Sequence, residues 1–172
     1  VDYEQREAVA SMEAAIADGA PLVHPELGSN LAIDAALPED PELEAAFASA
    51  AHVVTERLVQ HRHTPVPMET RGVIASYDRV TDQLEVWLST QGPHEARRAF
   101  SRVAGIPERH VHVRMGDVGG GFGQKFFTPR EEQTIVCVAK HLAASVKWIE
   151  DRRENLLASN HARSDIATVS VA

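Results

Sequence analysis

The stretch "GDVGGGFGQKFFTPREE", Gly116 to Glu132, holds three consecutive glycines, then an aromatic, another glycine and a lysine. Such a run leaves the backbone free to adopt positive φ and to approach a ligand closely, at an entropic cost on folding. Two phosphate-binding patterns can be tested against it. A P-loop needs glycine directly before its lysine and Ser or Thr directly after, whereas Lys125 is flanked by Gln124 and Phe126. The dinucleotide fingerprint needs a glycine three residues after Gly121, where Gln124 stands, and the following helix opens only beyond Thr128. What remains is a glycine-lined turn after a strand, whose N–H groups can face a ligand oxygen, with Phe122 at its centre. A purely structural turn is the competing reading, and glycine-rich turns of that kind are common.

Other residues could also carry chemistry. His61 with His63, and His110 with His112, have the spacing that puts two imidazoles on one strand face, as in a zinc site. No third ligand follows at a suitable spacing, which favours ordinary surface or packing histidines. Glu69 in "PMETRG" is a candidate carboxylate, with pairing to Arg71 as the simpler role. Gln91 ends a strand-like run and by spacing alone can cap the helix that begins near Pro93. Cys137 lies between Val136 and Val138 and reads as a small buried hydrophobe.

These residues need elements to position them. "SMEAAIADGA" reads as a short helix capped by Ser11 and stopped at Gly19, and "DPELEAAFASA" as another, with Asp40 as N-cap and Pro41 in the first position. From His52 onward Val, Ile and Thr predominate, and "DRVTDQ" is the turn of a hairpin between "GVIASYD" and "QLEVWLSTQ". "PHEARRAFSRVAGIP" is a helix ended by Gly105, and "HVHVRMGDV" the strand that leads into the glycine loop. Beyond the loop, Thr128, Pro129 and Glu131 suggest a capping box for a helix with Ile135, Val138, Ala139 and Leu142 on one face. "VKWIED" is a further strand. The strands within 52–91 are expected to share one sheet with those near 110–116 and 146–150, with the helices from 94 and 129 covering one face. The fold class is α+β: a mixed β-sheet with helices packed on one face, 1–50 as an N-terminal arm and 51–172 as the main domain.

The 172 residues, 44% of them hydrophobic, suffice for one domain or two small lobes with a real core. A formal net charge of −8 without a Lys/Arg cluster argues against nucleic acid as a partner. No apolar run reaches the length of a membrane span and no secretory signal opens the chain, so cytoplasmic localisation is expected. One cysteine excludes an internal disulfide. "SDIATVSVA" alternates as a strand does and needs a partner. With the opening at Val1 instead of a methionine, this reads as a piece of a longer polypeptide, the alternative being a terminal edge strand.

Four ordered segments, "METRGVIASYD", "LEVWLSTQGPHEARRAF", "VRMGDVGGGFGQK" and "VKWIEDRRENLLASNHARSD", resemble the large chain of the molybdenum hydroxylases. That family includes xanthine dehydrogenase, aldehyde oxidase and aerobic carbon monoxide dehydrogenase. The likeness covers nearly the whole chain, and "GGGFG" with the lysine beyond it resembles the carbon monoxide dehydrogenase-like branch most. It implies part of a larger molybdopterin-binding domain. By resemblance, Gln91 lies near an oxygen ligand of molybdenum, and Gly120, Gly121, Phe122 and Gly123 contact the cofactor, a backbone N–H near Phe122 or Gly123 donating to a molybdenum oxygen. Fixed amide dipoles suit an oxygen whose charge changes during turnover.

The resemblance also implies molybdopterin as its cytosine dinucleotide, an FAD-binding medium subunit and a small subunit with 2Fe–2S clusters. The remainder of the large subunit is a further partner, and this segment alone is expected to hold no cofactor. The activity implied is oxidation of a small substrate such as carbon monoxide, an aldehyde or an N-heterocycle with oxygen from water. Purine-hydroxylating members carry glutamate immediately after the loop lysine, where this chain has Phe126, so a purine becomes a poorer candidate. The family's general-base glutamate and copper-binding cysteine belong to motifs that do not occur in these residues, so no catalytic residue and no metal ligand is assigned. The competing function is a nucleotide- or protein-binding module with a structural glycine loop.

Overall fold

The computed structural model describes residues 1–172 apart from Val1, Tyr3, Arg6 and Leu37, all four within the arm expected over 1–50. The chain divides into two compact units, one made of Val1–His61 with Ser164–Ala172 and the other of Arg62–Arg163.

In the first unit, α1 (Met12–Ala15) starts at Ser11, whose side chain accepts from the Ala14 N–H. Helix α2 (Pro41–Ser49) starts at Asp40, which accepts from Glu42 and Leu43. Both caps are as the sequence suggests, because N-capping depends on residues within one turn. Strand β1 (Val54–Gln60) pairs antiparallel with the C-terminal strand, here β6 (Asp165–Val171), in register Val54↔Val171 through Gln60↔Asp165. The alternating C-terminal segment thus finds its partner inside the chain. This corrects the expectation that all strands of 52–91 share one sheet. Pro65 and Pro67, which lack a backbone N–H, interrupt the β-rich run and separate β1 from the strands that follow.

The second unit holds the core. Strands β2 (Gly72–Asp78) and β3 (Gln83–Leu88) form the expected hairpin, with Val73 opposite Leu88 and Ala75 opposite Val86. Helix α3 (Pro93–Ala104) returns the chain to β4 (Val111–Arg114), which lies parallel to β3. Helix α4 (Arg130–Leu142) then leads to β5 (Ser145–Ile149), antiparallel to β2 at the opposite edge. The order β4-β3-β2-β5 is a mixed sheet, and with its helices the fold is α+β. A seven-residue helix, α5 (Arg152–Ala158), follows.

Strand alternation decides which face is covered. Val73, Ala75, Leu84, Val86, Leu88 and Val111 are buried with Ala96 and Phe100 of α3 and Val136 and Ala139 of α4. The opposite face shows Glu85, Trp87, His112 and Arg114, with Trp87 44% exposed and Arg114 bonded to Glu85 at 2.7 Å. Helix α3 ends at Gly105 in the left-handed conformation, as expected.

Helix α4 departs from expectation at its start. Its N-cap is Pro129, and no capping side chain bonds the first turn. The Thr128–Glu131 capping box does not form, because with Pro129 at the N-cap Glu131 falls in the second helical position, where it pairs with Arg71 Nη1 at 3.2 Å. The buried stripe is Glu132, Val136 and Ala139, while Leu142 is 58% exposed. Helix α5 was not expected at all, although Asp151 and Glu154 form a capping box that is visible as D-x-x-E in the sequence.

Glu132 is a carboxyl on an otherwise apolar stripe. Burial pushes its pKa from 4.5 to about 8, against the favourable charge of Arg71 and with added repulsion from Glu131 and Glu150. A carboxyl raised in the folded state holds its proton more tightly there than in the unfolded chain. Its contribution is therefore intact below pH ~4.5 and declines as pH rises through ~8. Glu132→Gln is expected to be more stable than the parent at pH 9 by roughly 2–4 kcal/mol, with little difference at pH 4. Urea unfolding at several pH values checks this, and parallel pH slopes for parent and variant would refute it.

Candidate active site

The glycine loop joins β4 to α4 and is held from both sides by residues at the ends of β2 and β3. Its backbone is left-handed at Gly120 (φ 98°), Phe122 (φ 51°) and Gly123 (φ 88°). Gly121 is not among these. Its constraint is space, since a Cβ there would lie 2.4 Å from both Cδ and Oε1 of Gln91.

Gln91 itself is bound to the loop. Its Oε1 accepts from the N–H of Gly123 at 3.1 Å and of Lys125 at 3.2 Å, and its own N–H donates to the Lys125 carbonyl at 2.9 Å. Thr90 Oγ1 donates to the same carbonyl at 3.1 Å and accepts from the Gly92 N–H, the N-cap position of α3. Gln91 thus braces the loop and does not cap α3, whose first turn has no side-chain cap.

This pattern sorts the loop's donors. Gly119 N–H is taken by Glu69, Gly123 and Lys125 N–H by Gln91, and Gln124 N–H by the Gly121 carbonyl at 2.9 Å. Among the described residues, the N–H groups of Gly120, Gly121 and Phe122 and the Gln91 amide nitrogen donate to no protein acceptor. Phe122 is 74% exposed. The loop therefore offers consecutive main-chain donors beside a side-chain amide, a set suited to anionic oxygens.

Two networks support it, one around the part-exposed Glu69 and one buried around Arg71. Glu69 pairs with Lys125 at 2.6 Å rather than with Arg71, and also accepts from Ser89 Oγ at 2.6 Å. Partial burial pushes the Glu69 carboxyl up, but the bonds from Lys125, Ser89 and Gly119 outweigh this and hold it at about 2. Arg71 pairs instead with Glu150, through Nε at 2.9 Å, through Nη2, and through its backbone N–H at 3.0 Å. Glu150 accepts from Asn155 Nδ2 at 2.7 Å, and Asn155 donates to Gln124 Oε1 at 3.1 Å. Gln124 in turn donates to Ser159, so α5 grips the loop where it turns toward Lys125.

Of the remaining candidates, His110 Nδ1 lies 3.2 Å from Asp82 and His112 Nε2 2.8 Å from Gln83. No cluster of three metal-ligating side chains occurs among the described residues. Cys137 is half-buried, its Sγ 3.9 Å from the Val103 carbonyl. No helix of the described residues is long and apolar enough to cross a membrane. Ser89, Asn155 and Ser159 carry no pattern that would single them out, whereas Glu69 and Lys125 were each visible in the sequence but their pairing was not.

The sequence pattern of the molybdopterin cofactor-binding domain matches residues 23–172. The chain belongs to the molybdopterin cofactor-binding domain family. It is 43% identical over 131 residues to the nicotine 6-hydroxylase large subunit of Paenarthrobacter nicotinovorans, covering 76% of this chain and 16% of that protein. It is 37% identical over 129 residues to the carbon monoxide dehydrogenase large chain of Afipia carboxidovorans, covering 75% of this chain and 16% of that one. The structure of quinoline 2-oxidoreductase from Pseudomonas putida 86 superposes with a TM-score of 0.85 at 37% identity, over 99% of this chain and 22% of that chain. The chain thus spans about a sixth of the length of these curated relatives.

Proposed function

We propose that the intact protein carrying this chain is a molybdenum hydroxylase and that Gln91, Gly120, Gly121, Phe122 and Gly123 lie against its molybdopterin cofactor. The observation that carries this reading is the row of open N–H groups at Gly120, Gly121 and Phe122 beside the Gln91 amide. The donor set fits an anionic, oxygen-bearing group, and the missing Cβ atoms let the backbone come close to it. When bound, the cofactor supplies the redox centre at which a small substrate such as carbon monoxide, an aldehyde or an N-heterocycle gains oxygen derived from water.

The chain's own residues hold that group in place. The free N–H dipoles favour negative charge on its oxygens without adding a titratable group. Gln91 has two duties, its Oε1 fixing Gly123 and Lys125 while its Nε2 is left to donate outward. Residues 51–172 form part of the cofactor-binding domain, with 1–50 leading into it. The cytosine dinucleotide form of the cofactor, FAD on a medium subunit, 2Fe–2S clusters on a small subunit and a cytoplasmic location complete the proposal.

Metal analysis of the intact protein is expected to find about one molybdenum per chain, and its absence would overturn the reading. The 172-residue chain alone should hold none stoichiometrically, because affinity for a large cofactor needs contacts from all its walls. In the intact protein, Gln91→Ala is expected to lower kcat on the order of tenfold while leaving KM nearly unchanged. His112→Ala, whose ring bonds Gln83 on the open sheet face, should leave both unchanged.

A further inference from the structure

Lys125 is a lysine whose side chain is wholly shielded from solvent. A buried ammonium is tolerated only with a counter-charge and further hydrogen bonds. Its Nζ donates to Glu69 Oε2 at 2.6 Å and to Ser89 Oγ at 3.0 Å. The same carboxylate oxygen accepts the Gly119 N–H at 2.9 Å and the Ser89 hydroxyl at 2.6 Å. Glu69 N–H completes the arrangement by donating to the Gly119 carbonyl at 3.2 Å.

One oxygen thus binds the residue just before the loop's apex and the residue just after it. Gly119 must be glycine for this contact, since a Cβ there would fall 2.5 Å from Glu69 Cβ. We propose that Glu69 is the positioning residue of the glycine loop, its carboxylate tying Gly119 to Lys125 so that the open N–H groups of Gly120, Gly121 and Phe122 keep a single orientation. The inference rests on the cofactor reading above. Glu69 does not itself line the row of donors, and acts through the two ends of the loop. Its side chain is 42% exposed, so its contribution comes from these bonds and not from packing. Held at about 2, its carboxyl is ionised across the neutral range, and the tie is permanent rather than switched by pH.

The test compares the intact, molybdenum-loaded protein with Glu69→Gln, Ser89→Ala and the control Glu85→Gln, which breaks only the open-face pair with Arg114. Amide hydrogen exchange across 119–125 is expected to speed up by about tenfold in Glu69→Gln, as for loss of a charge-assisted hydrogen bond, and by less in Ser89→Ala. Exchange in the core strands β2 and β3 should stay as in the parent. In the loaded protein kcat should fall on the order of 100-fold with KM within about twofold, the signature of donors displaced by a fraction of an ångström. The molybdenum electron paramagnetic resonance signal should shift at unchanged metal content. If Glu69→Gln fails to fold, Ser89→Ala, which removes only a hydroxyl, must still raise exchange at 119–125. Unchanged loop exchange in the folded variants, or kcat equal to that of Glu85→Gln, overturns the proposal. A parent protein free of molybdenum overturns the cofactor reading instead, and loop exchange then decides the tie by itself.

Discussion

Replacing Gly121 with valine in the intact protein is expected to cut turnover on the order of 100- to 1,000-fold, the range seen when a preorganised main-chain donor is lost. The cause is steric. A Cβ at 121 would strike Gln91 at 2.4 Å, and Gln91 cannot simply swing aside because its Oε1 holds the N–H groups of Gly123 and Lys125. Left-handed backbone is not the issue, because the positive φ values belong to Gly120, Phe122 and Gly123. This distinction can be measured. If space is what matters, Gly121→Ala should be severe alone, yet should add little in a Gln91→Ala background, where the obstructing amide is gone. Additive losses would point to the backbone, and normal turnover of Gly121→Val at full molybdenum content would return the loop to a structural role.

The second large effect is on stability. Glu150→Ala is expected to cost roughly 3–5 kcal/mol, because it leaves the Arg71 guanidinium, 3% exposed, without its main counter-charge. Burial alone would lower the Arg71 pKa and raise that of Glu150, but their mutual hydrogen bonds outweigh this in both cases. Glu131, 3.2 Å from Arg71 Nη1, softens the loss and sets the lower end of the range. The same substitution frees Asn155 Nδ2 and so loosens its hold on Gln124. Replacing both charges, Arg71→Met with Glu150→Leu, should recover most of the stability, since a buried pair and a well-packed apolar pair are close in free energy. Denaturant unfolding of the single and double variants checks this, and a double variant no better than Glu150→Ala would refute it.

Much of this protein is determined by residues near one another in sequence. Asp40 and Pro41 start α2, Gly105 stops α3, and "DRVTDQ" turns β2 into β3, each through forces acting within a turn or two of chain. The ordered motifs around "GGGFG" likewise mark the molybdopterin cofactor-binding family without any coordinates. Other features depend on pairings that spacing does not encode. Glu69 has Arg71 two residues away but bonds Lys125, 56 residues distant, because only the folded loop brings that ammonium under cover. β1 leaves the hairpin that follows it for β6 at the other end of the chain. Glu131, expected in a cap, answers the buried charge of Arg71, and Glu132 is buried on an apolar stripe that no polarity pattern would place there. The glycine at 121 was visible as a glycine, but the reason for it became clear only where Gln91 meets it across 30 residues of chain, since a steric requirement belongs to the two surfaces in contact and not to either segment alone.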